Sequence, residues 1–147
     1  MGVDVDPLDA CFGATVDGLE LRRLDDRRWG EIRAAWIEYA LLIFPGQFLT
    51  KGEQNDFARR FGELEFRASP ITNVGPDGTV HSAPDDDRIT SMRGNEGWHH
   101  DSTYMPVQAI GAVVTAEIVP STGGATGFAD MRAAYDALDD DTQTLLD

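Results

Sequence analysis

The sequence predicts an α+β fold in which strands predominate. Two segments have the apolar spacing of amphipathic helices, and several short runs of aliphatic and β-branched residues have the length of strands. The chain has 147 residues, of which 41% are hydrophobic, so it is long enough to bury a core. No internal repeat or low-complexity segment divides it. We therefore expect residues 1–147 to belong to a single domain.

The first third of the chain combines short strands with one helix. We expect Ala14-Thr15-Val16 and Leu19-Glu20-Leu21 to be strands on either side of the turn dipeptide Asp17-Gly18. Either Asp25 or Asp26 can cap a helix that runs to about Tyr39. One face of that helix would carry four apolar positions: Trp29, Ile32, Trp36 and either Tyr39 or Ala40. A buried strand at Leu41 to Phe44 would follow, ended by Pro45-Gly46.

The middle of the chain begins with a second helix. Thr50-Lys51-Gly52-Glu53 is a capping-box pattern, which would start a helix through Phe57 and Phe61 that Gly62 closes. Beyond it, Ile71 to Val74 is expected to be a strand and Pro76-Asp77-Gly78 a turn. We interpret Asp85-Asp86-Asp87 as a solvated loop rather than a metal site, because three adjacent carboxylates cannot all converge.

The last third begins with Ala109 to Val119, which is rich in β-branched residues and is expected to be a long, mostly buried strand. Pro120 to Gly124 would then form a glycine-rich turn. Asp130 can cap a helix through Leu138, and a residue of 139–142 can cap another. That last helix has no glycine or proline stop signal before Asp147, so we expect its packing partner to lie in sequence beyond this chain.

Composition excludes several classes of function. The formal net charge is -14, from 26 acidic and 12 basic residues, and such a surface repels nucleic acid and anionic lipid. Cys11 is the single cysteine, so no internal disulfide can form. The apolar runs are too short to span a membrane, and no signal-peptide pattern opens the chain. We expect a cytoplasmic protein with neither a nucleic-acid nor a membrane partner.

The segment Trp98-His99-His100-Asp101-Ser102 carries the strongest chemical signal. In a strand, side chains two residues apart point to the same face, so His99 and Asp101 would project together while His100 points away. An imidazole and a carboxylate are two of the three ligands that hold non-haem Fe(II) in a facial triad. A second histidine should complete the triad, and we expect it beyond this chain. His81, which follows a turn, is interpreted as a surface histidine.

Four segments together make the sequence resemble the taurine dioxygenase (TauD/TfdA) family, and most closely its aryloxyalkanoate-dioxygenase-like branch. The resemblance covers nearly the whole chain but only about the first half of the family's usual domain. A lone His-x-Asp is a weak signal, but His-x-Asp after Trp and before Gly-Gly-x-Thr is specific. The segments are residues 57–62, residues 98–102, residues 120–126 and residues 128–138.

The resemblance implies an Fe(II)- and 2-oxoglutarate-dependent dioxygenase with a double-stranded β-helix, or jelly roll, and flanking helices. It implies that His99 and Asp101 bind the iron and that the Thr126 hydroxyl contacts a carboxylate of 2-oxoglutarate, although Thr126 could instead bond local backbone in its turn. Asn95 lies where family members often place a substrate-contacting residue, but a loop asparagine is an equal interpretation. Trp98 and Tyr104 could wall a pocket or be core residues.

The implied reaction hydroxylates a small organic substrate, anionic by family analogy, and converts O2 and 2-oxoglutarate to succinate and CO2. The distal histidine and the arginine that pairs with 2-oxoglutarate are not found in this chain, so we expect the 147 residues alone to be an N-terminal part without full activity.

Two alternatives stay open. One is a non-catalytic or oligomer-completed jelly-roll binding module, which would make the protein a homo-oligomer. The other is a different metal enzyme, completed by His81 or His100.

Overall fold

The computed structural model describes residues 2–147, which contain one small sheet and five α-helices. The strands are Asp4–Pro7 (β1), Ala14–Asp17 (β2) and Leu42–Ile43 (β3). The helices are Asp26–Tyr39 (α1), Lys51–Ala58 (α2), Asp87–Arg93 (α3), Met131–Asp136 (α4) and Asp140–Leu146 (α5). The chain forms two compact units, one of residues up to Thr50 with Thr115–Asp147 and one of Lys51–Val114.

The sheet belongs to the first unit and has the order β1-β2-β3. β1 runs antiparallel to β2, and β2 runs parallel to β3. The predicted strand at residues 14–16 is confirmed, but the one at residues 19–21 is wrong. There the Gln47 amide accepts from the Leu21 N–H at 2.9 Å and donates to the Leu19 carbonyl at 3.2 Å. These backbone groups are thus bonded to a side chain rather than to a strand, and Leu21–Arg23 forms a 3-10 helix.

Helix α1 confirms the predicted helix and identifies its cap. Asp25 Oδ1 accepts from the Arg28 N–H at 2.7 Å, so Asp25 is the capping residue and Asp26 occupies the first turn. The helix buries Ile32 completely and Ala35 almost completely. The helix ends at Tyr39. The next residue, Ala40, has a left-handed φ of 61°, and its N–H donates to the Trp36 carbonyl at 2.8 Å.

We expect Ile32→Ala to lower the free energy of unfolding by about 2–5 kcal/mol, because it removes a fully buried side chain and leaves a cavity. Ile37→Ala on the same helix is the matched control. Its side chain is 59% exposed, and surface changes are usually within about 0.5 kcal/mol. Urea unfolding measures both, and an equal loss in the two variants would contradict the placement of the core.

The second unit contains α2, which ends at Ala58 rather than at the predicted Gly62. Phe57 and Phe61 still pack together across this end, with ring centroids 5.5 Å apart and planes at 88°. The predicted turn at residues 76–78 is confirmed: the Gly78 N–H donates to the Gly75 carbonyl at 3.0 Å, and Gly78 has a φ of 84°. The predicted strand before it is reduced to a single bridge between Val74 and Val80.

The long buried strand predicted at residues 109–119 is wrong for the described part of the chain. These residues belong to no strand there, and Ile110, Val114 and Ile118 are exposed. A strand forms only where a neighbour supplies its ladder of hydrogen bonds, and β-branched composition does not specify that neighbour. The prediction that strands predominate is therefore also wrong for residues 2–147, which contain three short strands and five α-helices.

Two short helices, α4 and α5, confirm the two helices predicted after residue 129, although α4 ends at Asp136 rather than at the predicted Leu138. Asp130 accepts from the Arg132 N–H at 2.9 Å, so it caps α4 as expected. Asp139 accepts from the Thr142 N–H at 2.8 Å, which identifies it as the cap of α5 among the four candidates at residues 139–142. The predicted glycine-rich turn is also present, since Gly123 and Gly124 have left-handed φ values. Across residues 2–147, every helix is too short or too polar to cross a membrane.

Candidate active site

His99 and Asp101 lie in the second unit, after α3, and the structure brings their side chains together. Their spacing led us to expect a strand, but that prediction is wrong: residues 98–100 are irregular and residues 101–104 form a turn. The two side chains nevertheless lie together, as expected, because His99 Nε2 is 3.4 Å from Asp101 Oδ1. A local chain reversal, rather than the pleat of a sheet, therefore produces the pair.

The imidazole of His99 is oriented by the backbone. Its Nδ1 lies 2.7 Å from the Gly97 carbonyl oxygen. That oxygen can only accept, so Nδ1 carries the proton of this bond, and in the neutral ring Nε2 keeps its lone pair. Metal-binding histidines typically donate their other N–H to a carbonyl or carboxylate in this way. His99 therefore presents Nε2 beside the Asp101 carboxylate in the tautomer that binds a cation.

The pair fits two neighbouring ligands of one metal ion. Nitrogen and oxygen ligands lie about 2 Å from a first-row metal, so neighbouring donors are on the order of 3 Å apart, and the observed 3.4 Å is close to that. The side chains are 49% and 76% exposed, which leaves room for further ligands. Within residues 2–147, no group of three or more His, Cys, Asp or Glu side chains could hold a metal. The pair thus has the geometry of two adjacent metal ligands.

Ser102 is a residue that the sequence did not single out. It follows Asp101 directly, has a φ of 62° and is only 6% exposed. Its Oγ donates to Glu65 Oε2 at 2.8 Å. No sequence signal marks a serine in a polar stretch as buried, because its partner lies 37 residues away.

The other predicted site residues are exposed. Asn95 lies in the turn after α3, and Trp98 and Tyr104 are 78% and 77% exposed, so neither aromatic is a core residue within the second unit. His100 is exposed as expected, and its Nδ1 lies 2.8 Å from the Asp101 main-chain oxygen. Thr126 is exposed and belongs to the first unit, two residues after Gly124.

His81 is not the isolated surface histidine that the sequence suggested. Its Nδ1 donates to Asp86 Oδ2 at 2.7 Å, and both side chains are about one-third exposed or less. Asp86 also caps α3, because its Oδ1 accepts from the Arg88 N–H at 2.9 Å. The bond from His81, reinforced by the one from Arg88, holds the pKa of Asp86 below its usual value of 3.8. Asp86 is thus part of a structural contact rather than of a solvated loop.

This contact predicts an acid-sensitive contribution to stability. A carboxyl group whose pKa is lowered on folding stabilises the folded state above its unfolded pKa of 3.8, and the contribution disappears as pH falls through the folded pKa. We expect Asp86→Asn to lower the free energy of unfolding at pH 7 and to have little effect near pH 2. Urea unfolding at both values measures this, with exposed Asp85→Asn as control. An Asp86→Asn effect that is equal at both pH values would contradict it.

Comparison with known proteins identifies the family. The sequence pattern described as "Taurine catabolism dioxygenase TauD, TfdA family" matches residues 4–147. Relatives named (S)-phenoxypropionate/alpha-ketoglutarate-dioxygenase are 62% identical in Sphingobium herbicidovorans and 51% in Delftia acidovorans, over 94% and 98% of this chain. The matches cover 48% and 52% of those relatives, so the chain spans about half their length. A 2,4-dichlorophenoxyacetate dioxygenase from Cupriavidus pinatubonensis, also named as alpha-ketoglutarate-dependent, is 36% identical over 100% of this chain and 56% of its own.

Solved structures agree with the sequence comparison. AAD-2 in complex with Mn(II) and N-oxalylglycine has a TM-score of 0.87 and 38% identity, over 99% of this chain and 53% of its own. A 2,4-D dioxygenase from Burkholderia xenovorans, described as a putative alpha-ketoglutarate-dependent enzyme, has a TM-score of 0.76 and 30% identity, over 99% of this chain and 50% of its own. The family pattern over residues 4–147 and this shared fold show that the chain belongs to the TauD/TfdA dioxygenase family.

Proposed function

We propose that this chain is part of an Fe(II)- and 2-oxoglutarate-dependent dioxygenase that hydroxylates an aryloxyalkanoic acid. The observation that carries the proposal is the His99–Asp101 pair, in which the Gly97 carbonyl orients the imidazole and leaves Nε2 beside a carboxylate oxygen. The class of substrate is supported by the two relatives named for phenoxypropionate, which are 62% and 51% identical to this chain. We further propose a cytoplasmic protein that contributes to a double-stranded β-helix.

The proposed reaction consumes one substrate, one O2 and one 2-oxoglutarate. Bound Fe(II) supplies the oxidising chemistry that converts O2 and 2-oxoglutarate to succinate and CO2 and places one oxygen atom in a substrate C–H bond. Hydroxylation of the carbon next to the ether oxygen gives a product that collapses to a phenol and a 2-oxo acid. Residues of this chain would hold the metal (His99 and Asp101), bind 2-oxoglutarate (Thr126) and contact the substrate (Asn95).

Succinate release from a panel of substrates tests the proposed function. The protein encoded by the full gene is supplied with Fe(II), 2-oxoglutarate and O2, together with either enantiomer of 2-phenoxypropionate, phenoxyacetate, taurine or an alkyl sulfate. We expect succinate and an equal amount of phenol from at least one aryloxy acid, and much less succinate with taurine. Succinate formation only with taurine or the alkyl sulfate would contradict the substrate class, and none with any substrate would contradict the enzyme assignment.

Thr126 provides a separate prediction about the co-substrate. If its hydroxyl bonds a carboxylate of 2-oxoglutarate, Thr126→Val should raise the KM for 2-oxoglutarate by about ten- to a hundredfold, because a hydrogen bond to a charged group contributes roughly 1.5–3 kcal/mol. Steady-state kinetics measure this, with Thr122→Val as the matched control, since Thr122 is an exposed threonine four residues earlier. An unchanged KM together with a lower melting temperature would show that Thr126 only bonds local backbone.

A further inference from the structure

Ser102 differs from every residue around it in burial. Residues 95–101 are all exposed, as are Thr103 and Tyr104, whereas Ser102 is only 6% exposed. Among residues 2–147, Ser102 is the one polar residue that is buried. The segment that carries the His99–Asp101 pair is therefore fixed to the second unit at one position. That position is adjacent to Asp101.

The backbone of Ser102 also has an unusual conformation. Its φ of 62° is left-handed, which non-glycine residues rarely adopt unless the surrounding structure requires it. The Ser102 carbonyl accepts from the Met105 N–H at 3.0 Å, which closes the turn. This reversal begins directly after Asp101, so a change in the Ser102 backbone would displace the adjoining Asp101.

The bond between Ser102 and Glu65 maintains this conformation. Within residues 2–147, the other hydrogen bonds made by residues 95–105 join residues that are at most three positions apart in the sequence. The bond between Ser102 and Glu65 joins residues that are 37 positions apart. Ser102 Oγ donates to Glu65 Oε2 at 2.8 Å, and a hydrogen bond to a carboxylate is stronger than one between neutral groups. It is therefore the long-range hydrogen bond that ties this turn to a distant part of the same unit.

We propose that Ser102, through its bond to Glu65, is a positioning residue that holds the Asp101 carboxylate beside His99 Nε2. This inference rests on the proposed role of His99 and Asp101 as metal ligands. It extends that role by assigning the geometry of the pair to two residues that do not touch the metal. Partners that orient metal ligands typically contribute about 10–100-fold in metal affinity.

Mn(II) affinity of the protein encoded by the full gene tests the inference. We expect Ser102→Ala and Glu65→Ala each to weaken Mn(II) binding about tenfold and the double variant to be no weaker than either, because both remove one interaction. Glu65→Gln keeps an acceptor oxygen and should bind within about threefold of the wild type. In steady-state assays kcat should fall in both alanine variants while the KM for the aryloxy acid stays unchanged.

Gln54→Ala is the matched control for a merely structural role. Gln54 Nε2 donates to the Val113 carbonyl at 2.8 Å, another long-range side-chain bond of the same unit, but one that does not adjoin the pair. We expect this variant to lose stability and keep its Mn(II) affinity. Ser102→Ala and Glu65→Ala binding Mn(II) as the wild type does, or Gln54→Ala weakening it equally, would overturn the inference while leaving the proposed function intact. A wild-type protein that binds no Mn(II) would overturn both.

Discussion

Asp101→Ala is expected to abolish 2-oxoglutarate-coupled oxygenation. The carboxylate lies 3.4 Å from His99 Nε2 and is the charged member of the proposed ligand pair. Without it, the His99 imidazole is the one proposed Fe(II) ligand left in this segment. Because residues that only orient a ligand can contribute about 10–100-fold, removing a ligand should lower the rate of succinate formation by more than about a hundredfold. The aryloxy acid found active in the substrate panel is the substrate to use.

Two further variants make this result specific. Asp101→Asn keeps the shape of the side chain without its charge, and we expect it to be nearly as inactive as Asp101→Ala. Asp85→Ala removes an exposed carboxylate before α3 and should keep full activity. Undiminished succinate formation by Asp101→Ala would refute the role of this carboxylate and, with it, the ligand pair.

His99→Ala is expected to have the second largest effect, a large loss of metal affinity. His99 Nε2 is the nitrogen donor of the pair, and its orientation is fixed by the bond from Nδ1 to the Gly97 carbonyl. We expect the dissociation constant for Mn(II), measured by calorimetry, to rise by more than about a hundredfold. Added imidazole should restore part of the binding, since the variant leaves a space of that shape.

The neighbouring histidines are the controls for His99. His100 is the adjacent imidazole and lies 2.8 Å from the Asp101 main-chain oxygen, while His81 donates to Asp86. His100→Ala and His81→Ala should each bind Mn(II) within about threefold of the wild type, because neither is an assigned ligand. Release of Mn(II) by either of them would favour instead a metal site that this histidine completes.

Local structure could be predicted from the sequence where the information is itself local. Asp130 caps its helix as predicted, and Asp25 and Asp139 are each one of the candidate caps, because a cap depends on a side chain and an N–H two or three residues away. Residues 109–119 show the limit of such reasoning. Their β-branched side chains favour an extended strand, but a strand also needs a partner, which composition does not specify.

The candidate site shows the same division. The spacing of His99 and Asp101 suggested that they act together, and the structure brings them together through a turn rather than a strand. The sequence did not predict the side-chain hydrogen bonds of Ser102 and His81, because their partners Glu65 and Asp86 come close only in the folded chain. Long-range side-chain contacts were therefore the part that sequence patterns could not provide.

Visible absorption of the protein under anaerobic conditions tests the central claim most directly. Fe(II) and a 2-oxo acid bound at one site give a charge-transfer band that neither gives alone. We predict that this band appears when Fe(II) and 2-oxoglutarate are both added to the protein encoded by the full gene, changes on addition of an aryloxyalkanoic acid, and is absent from His99→Ala and Asp101→Ala. No band in the wild type, or the same band in both variants, would contradict a shared metal and 2-oxoglutarate site at His99 and Asp101.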